Sequence, residues 1–383
     1  MALGVGQASP PTLDDVIQQA KALLDQNLHS LKLAATTDPQ LDDSNVFFVD
    51  GLGTLCDTDP STKERVLKLF GPGISRWAIV SSFVAHDDIL FRVVFGNSGS
   101  GKTRLLAEGL CQYWGLYFTP DPLLLGSKDF SLSLGNLESY VEEGGVFSPI
   151  IPNSPISAQK SLQLNRAMAR TTFRHILLAR LLVLEAFLSA GADVPATHLR
   201  RRWTHLQLVP SALTSQFSSN QSDIFERVYR IIAQCRASDE LRLLSLLDTI
   251  RQDSRVDSNS PFFIILDEAR LCSHLYEGAF YSEKETGPEG IRSVLREISV
   301  TWERLSEKKS LAMIYSGTGF SLTRMLRYLA SSIGAPTISR IFTNTGALVS
   351  QEQQSAYIMR HVTLEADNEE EVLSRAWRWL RGR

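Results

Sequence analysis

Residues 89–108 read ILFRVVFGNSGSGKTRLLAE: an apolar run, a loop of Gly and Ser, then Lys, Thr and a stretch of helix formers. The loop matches G-x-x-x-x-G-K-[ST] as Gly96, Asn97, Ser98, Gly99, Ser100, Gly101, Lys102 and Thr103. Each part has a physical role. Glycines permit backbone angles and close approaches that a Cβ blocks, and the N–H groups of such a loop converge on an anion. A helix starting near Lys102 adds its positive end. Lys102 reaches β- and γ-phosphates, and the Thr103 hydroxyl ligates Mg²⁺. The flanks agree. ILFRVVF predicts a buried strand rich in β-branched and aromatic residues. KTRLLAEGLCQYW predicts a helix with Leu105, Leu106, Leu110 and Trp114 near one face.

A phosphate cradle needs a carboxylate to organise the metal. Residues 261–270, PFFIILDEAR, supply one. Phe262 to Leu266 form a continuous apolar run, as in a strand covered on both faces. The run ends in Asp267 and Glu268, a Walker B pattern with two adjacent carboxylates. Asp267 is the candidate Mg²⁺ ligand, and Glu268 the candidate general base for an attacking water. A solvated acidic pair at a strand end is the plainer alternative. A third strand is expected in SLAMIYSGTGF, residues 310–320. In NTPases with a catalytic glutamate, the strand between those two carries a polar residue near the γ-phosphate. Ser316 and Thr318 are the candidates; a Gly-rich turn leaving a strand explains them equally well.

The chain has 383 residues, enough for one large or two ordinary domains. It is 43% hydrophobic and 21% charged with a net charge of −3, so no global charge drives it to nucleic acid or membrane. Cys56, Cys111, Cys235 and Cys272 form no C-x-x-C pair and read as free thiols of a reducing compartment. The seven histidines show no metal spacing. The start, MALGVGQASPPTLDD, lacks the pattern of a signal peptide, and Ala2 fails the myristoylation pattern. Residues 173–190, FRHILLARLLVLEAFLSA, are apolar but carry Arg174, Arg180 and Glu185, which disfavour a bilayer centre. An intracellular protein, cytoplasmic or nuclear and without a membrane span, is expected.

Along the chain, Thr12 predicts a cap for an amphipathic helix in TLDDVIQQAKALLDQNLHSL. Residues 1–85 form a small, mostly helical N-terminal region, and residues 86–383 the NTPase core. GLYF, at 115–118, is a candidate short strand. Residues 119–160 are rich in Pro, Gly and Ser and read as loops. A helical insertion at about 160–255 includes a basic helix through Arg200, Arg201 and Arg202, helices at 222–236 and 239–252, and the apolar helix above. The basic triplet suits nucleic acid or a partner, or simply a solvated face. EGIRSVLREISVTWERLSEKK, 289–309, reads as one helix, TISRIF, 337–342, as a strand, and EEEVLSRAWRWLRGR as a terminal amphipathic helix whose Leu373, Trp377 and Leu380 seek a surface.

Together, FGNSGSGKTRLLAEGL, WGLYF, LDEAR, YSGTGFSL, NTGALVSQEQQSAYIMRHV and WRWLRGR resemble the P-loop NTPases abundant in mushroom-forming fungi, related to the NTPase module of Crinkler-type and retrotransposon-hotspot-type proteins. The resemblance spans roughly residues 86–383, with SGTGFSL and WLRGR its more specific parts. It implies a STAND/AAA+-related fold: α/β, three layers, a parallel sheet and a catalytic glutamate. It also implies NTP-driven switching or remodelling in an effector or mobile-element protein, and relatives that continue past WLRGR, so that this chain looks truncated. The combined expectation is Mg²⁺-dependent hydrolysis of ATP through Lys102, Thr103, Asp267 and Glu268. ATP is favoured over GTP because no N/T-K-x-D motif is present. A slow nucleotide-binding switch or scaffold is the alternative, since Arg270, Arg296, Arg304 and Arg324 all compete for the role of arginine finger. Self-association or a protein partner fits either reading, and nucleic acid is left open.

Overall fold

The computed structural model describes residues 10–37, 52–53, 55–71, 91–96, 100–139, 141–142, 145–151, 155–210, 222–257, 260–281, 290–306, 311–318, 338–343, 345, 350–361 and 369–380. Its strands are β1 (Phe91–Phe95), β2 (Gly115–Phe118), β3 (Val141–Glu142), β4 (Gly145–Val146), β5 (Phe262–Leu266), β6 (Phe280–Tyr281), β7 (Ile291–Arg292), β8 (Leu311–Gly317) and β9 (Ile338–Phe342). Its helices are α1 (Leu13–Gln26), α2 (Leu28–Thr36), α3 (Leu55–Thr58), α4 (Pro60–Phe70), α5 (Lys102–Gln112), α6 (Asp129–Ser139), α7 (Pro155–Ala190), α8 (Ala196–Leu208), α9 (Ile224–Ile232), α10 (Glu240–Gln252), α11 (Arg270–His274), α12 (Val294–Ser306), α13 (Gln351–His361) and α14 (Glu369–Leu380).

Five strands form one parallel sheet in the order β2–β5–β8–β1–β9. Successive side chains of a strand point to opposite faces, and here both faces are covered. Phe262, Ile264 and Leu266 of β5 join Val93, Leu116, Phe118, Met313 and Tyr315 in a core with α6, α7, α9, α10 and α12. Phe263 and Ile265 join Val94, Tyr117, Ala312 and Ile314 against α4 and α5. Two-sided burial explains why these strands are apolar runs rather than alternating patterns. The exception inside β1 is Arg92. It is buried, its guanidinium donates to the carbonyls of Leu69 and Gly71 at the C-terminus of α4, and it lies over the Phe263 ring. Helix C-terminal carbonyls favour a cation, so a charged residue within the strand ties α4 to the sheet.

The edge strand β2 is covered by a side chain. The Gln207 carbonyl of α8 accepts the Tyr117 N–H at 2.8 Å, and its amide donates to the Gly115 carbonyl at 3.2 Å. Trp203 donates to the same carbonyl at 2.8 Å. An exposed row of backbone groups is thereby closed to further strands.

Several sequence expectations change. The helix expected to run on from Thr12 breaks at Asn27, whose amide donates to the Leu23 carbonyl and caps α1, and restarts as α2. Thr12 and Asp15 form the capping box. Residues 119–160 are not all loops. Phe130, Leu134 and Leu137 fall at helical spacing and are buried, which makes α6 despite its Ser and Gly, and β3 pairs with β4. The helix read from 289 starts only at Val294, because Ile291–Arg292 pair with Phe280–Tyr281. The apolar segment 173–190 is the second half of the 36-residue α7, whose Phe173, Ile176, Val183 and Phe187 are fully buried. Its Arg180 makes two hydrogen bonds to Asp129, at 2.6 and 2.7 Å, and stacks on Phe225 at 4.0 Å. Among the described residues no helix is long and apolar enough to cross a membrane. The four cysteines are free and buried. The surface sought by α14 comes from α13, whose Gln354 donates to the Ala376 carbonyl; Leu373 is buried there, while the side chain of Leu380 lies outside the described residues.

Candidate functional site

Three parallel strands deliver their C-terminal ends to one place. In an open α/β sheet, ligands bind in the crevice beyond those ends. β1 ends at Phe95 and leads into Gly96; β5 ends at Leu266 and leads into Asp267; β8 lies between them and ends at Gly317.

Gly96 has no room for a side chain: a Cβ there would stand 2.4 Å from Ser100 Oγ and 3.2 Å from Thr345 Oγ1. Asn97, Ser98 and Gly99 lie outside the described residues. Gly101 caps α5 with φ +82°, a left-handed angle that L side chains rarely adopt. Lys102 and Thr103 therefore open the helix that follows the loop leaving β1. Lys102 is 5% exposed and its Nζ donates to the Gly96 carbonyl at 3.1 Å. Burial lowers its pKa, while Glu268 and Asp267 act to raise it. Lys102 is thus a buried cation that lies near both carboxylates of the acidic pair.

Asp267 is fully buried and continues β5, its N–H donating to the Phe118 carbonyl. Its Oδ2 accepts the Thr103 hydroxyl at 2.6 Å and the Tyr117 hydroxyl at 3.0 Å, and its Oδ1 accepts the Glu268 N–H at 3.0 Å. The first contact joins residues 164 positions apart. Burial first, then the charge of Asp267, raises the Tyr117 pKa well above its ordinary value, so this phenol stays a proton donor.

Glu268 takes a left-handed angle, φ +49°, which is uncommon outside glycine. Its turn sends the carboxylate to the end of β8, where Oε2 accepts the Thr318 N–H at 3.4 Å and hydroxyl at 3.3 Å. The next residue locks the turn, Ala269 N–H donating to the Ser316 carbonyl at 2.8 Å. Ser316 Oγ and Ser100 Oγ are both buried with no hydrogen-bond partner among the described residues. Buried hydroxyls normally find one, and these two belong to β8 and the glycine loop. The cradle thus presents unsatisfied groups beside a buried lysine.

The structure brings Gly96, Ser100, Gly101, Lys102 and Thr103 together, joins Thr103 to Asp267, and joins Glu268 to Thr318. Two residues were not singled out from sequence. Tyr117 reads as a core aromatic; only the pairing of Tyr117 with Ile265 brings it beside Asp267. Thr345, 7% exposed, reaches the loop from beyond β9, and no local pattern marks it. Of the arginines, Arg296 is held by Glu297 at 2.9 Å, Arg270 and Arg304 are exposed, and Arg324 lies outside the described residues. The basic triplet is not one face: Arg202 donates to the Ala35 carbonyl at 2.7 Å, Arg201 lies beside Gly53, and Arg200 points elsewhere.

Compared with known proteins, the chain matches no family model and no curated sequence.

Proposed function

We propose that the chain binds ATP with Mg²⁺ at the crevice beyond β1, β5 and β8 and hydrolyses its γ-phosphate. The observation that carries the reading is the 2.6 Å contact between the Thr103 hydroxyl and the Asp267 carboxylate beside buried Lys102. A hydroxyl and a carboxylate are hard oxygen ligands of the kind Mg²⁺ takes. Among the described residues no group of three or more His, Cys, Asp or Glu gathers around a metal position. Mg²⁺ in phosphoryl-transfer sites needs only one or two protein oxygens, the rest coming from water and phosphate. The unsatisfied Ser100 and Ser316 hydroxyls, and a Gly96 that a Cβ would overfill, fit a phosphate chain as occupant.

In this reading the α5 N-terminus and Lys102 bind the phosphates, with Lys102 exchanging the Gly96 carbonyl for phosphate oxygens. Thr103 and Asp267 would hold the metal, which when bound would supply charge neutralisation at the phosphates. Tyr117 and the Glu268 N–H fix the Asp267 carboxylate. Glu268 accepts the proton of the attacking water, and Ser316 and Thr318 position the γ-phosphate end. The position of β8 between β1 and β5 supports this assignment. Coupling of turnover to switching or remodelling in an effector or mobile-element protein follows from the sequence resemblance. Lys102→Ala is expected to weaken a fluorescent ATP analogue by about 2–4 kcal/mol, since a charge-assisted phosphate contact is lost. Equal affinities in a titration of both proteins would sink the assignment.

A second reading, a nucleotide-binding switch with slow turnover, is favoured by one observation: one oxygen of the Glu268 carboxylate, Oε2, is already engaged by Thr318. Phosphate release by the purified chain with ATP, with GTP as comparison, separates the two.

A further inference from the structure

At the opposite end of the sheet, where β2 and β5 begin, lies a cavity of about 180 Å³. Its walls include Tyr113 and Trp114 ahead of β2, Phe262 at the start of β5, Arg200 from α8, Arg251 from α10, and Asp257. The walls are rigid. Trp114 is buried and donates its indole N–H to the Arg255 carbonyl at 2.9 Å. Tyr113 is stacked on Phe70, with ring centres 5.7 Å apart, and edge-on to Phe263. Arg251 and Asp257 are already engaged: Arg251 donates to the Ser260 carbonyl at 3.2 Å, and Asp257 accepts the Ser260 hydroxyl at 2.6 Å.

Arg200 differs. Its guanidinium makes no hydrogen bond or ion pair among the described residues, and its Nε is shut off from solvent without an acceptor. A half-buried guanidinium without an oxygen partner is unfavourable, and buried charges are ordinarily paired. Burial lowers its pKa, offset in part by Asp257. Two guanidiniums and one carboxylate leave the lining with one net positive charge. Its polar wall offers a planar fork that suits a carboxylate or phosphate, and its other wall is aromatic. One water needs only about 10–15 Å³, so the space has room for a small organic molecule.

We propose that this cavity is a second ligand site, which takes a small organic oxyanion, its charged head on Arg200 and its apolar body against Tyr113 and Trp114. The site is separate from the crevice at the other end of the sheet and does not depend on what binds there. It also accounts for the basic triplet of the sequence: Arg201 and Arg202 are structural, and Arg200 is a ligand-facing cation.

The test is a ligand-observed NMR titration of the full chain with benzoate, with benzamide as the neutral analogue of the same shape. Benzoate is expected to bind at least about tenfold more tightly than benzamide, because only the anion pairs with the guanidinium. Arg200→Met, which keeps the length and removes the charge, should bring benzoate down to the benzamide level. Lys102→Ala should leave benzoate binding unchanged. Equal binding of benzoate and benzamide overturns the proposal, as does full benzoate binding by Arg200→Met. Loss of benzoate binding in Lys102→Ala would place the anion in the glycine loop and also overturns it. Should Arg200→Met not fold, the comparison of benzoate with benzamide on the unaltered chain decides alone.

Discussion

At the scale of single residues, Asp267 and Glu268 are neighbours whose side chains leave the chain in different directions. Asp267 faces α5 and meets Thr103; Glu268, at φ +49°, faces the end of β8 and meets Thr318. On the proposed function that separation gives them different roles and different losses. Glu268→Gln keeps size and hydrogen bonding but removes the proposed base. It is expected to leave ATP affinity nearly intact and to slow turnover by about 10²-fold or more. Asp267→Asn removes charge from the proposed metal ligand and should weaken Mg²⁺-dependent binding as well. Affinity and phosphate release measured side by side check both; unchanged release in Glu268→Gln would remove it as the base. Lys102, Thr103 and the acidic pair were legible in the sequence as short local patterns, and the structure joins Thr103 to Asp267 and Lys102 to Gly96. Tyr117 and Thr345 were not, since each reaches the site through strand pairing, which a linear pattern does not carry.

At the scale of elements, β2, β5 and β8 were legible because two-sided burial writes each as a short apolar run. Their order was not, since it depends on which runs pair. The contact of α4 with α5 is equally silent in sequence. A Cβ on Gly109 would lie 2.0–2.5 Å from three atoms of the Phe70 ring. That ring is also packed against Tyr113 and Phe263, with centres 5.7 and 4.8 Å away, so it has little freedom to retreat. Alanine within a helix ordinarily gains up to about 1 kcal/mol over glycine. Here overpacking by about 1–3 kcal/mol is set against that gain. Gly109→Ala is therefore expected to lower the melting temperature, and a rise would show that α4 does not press its Phe70 onto α5.

At the scale of the molecule, the N-terminal helices are part of the core rather than an appendage. Val16, Ile17, Ala20 and Leu24 of α1, and Leu31 and Ala35 of α2, are buried in the cluster that contains the sheet residues Val93, Phe118 and Ile264. Their neighbours are α7, α8 and α9. Full burial of a Val, Leu or Ile side chain contributes about 1.5–3 kcal/mol. Val16, Ile17, Leu24 and Leu31 together thus bring a gross contribution of about 6–12 kcal/mol, comparable with the whole stability of an ordinary domain. Ordering the two helices consumes part of this, but their removal also strips the apolar face of α7 on the far side of the contact. A chain lacking residues 1–37 is expected to lose its cooperative thermal transition near the parent temperature, to bind a hydrophobic dye, and to hold the ATP analogue poorly. Circular dichroism melts and dye binding of the two chains measure this. A shortened chain that melts cooperatively at the parent temperature and retains the nucleotide would mean that the sheet and its helical cover stand without α1 and α2.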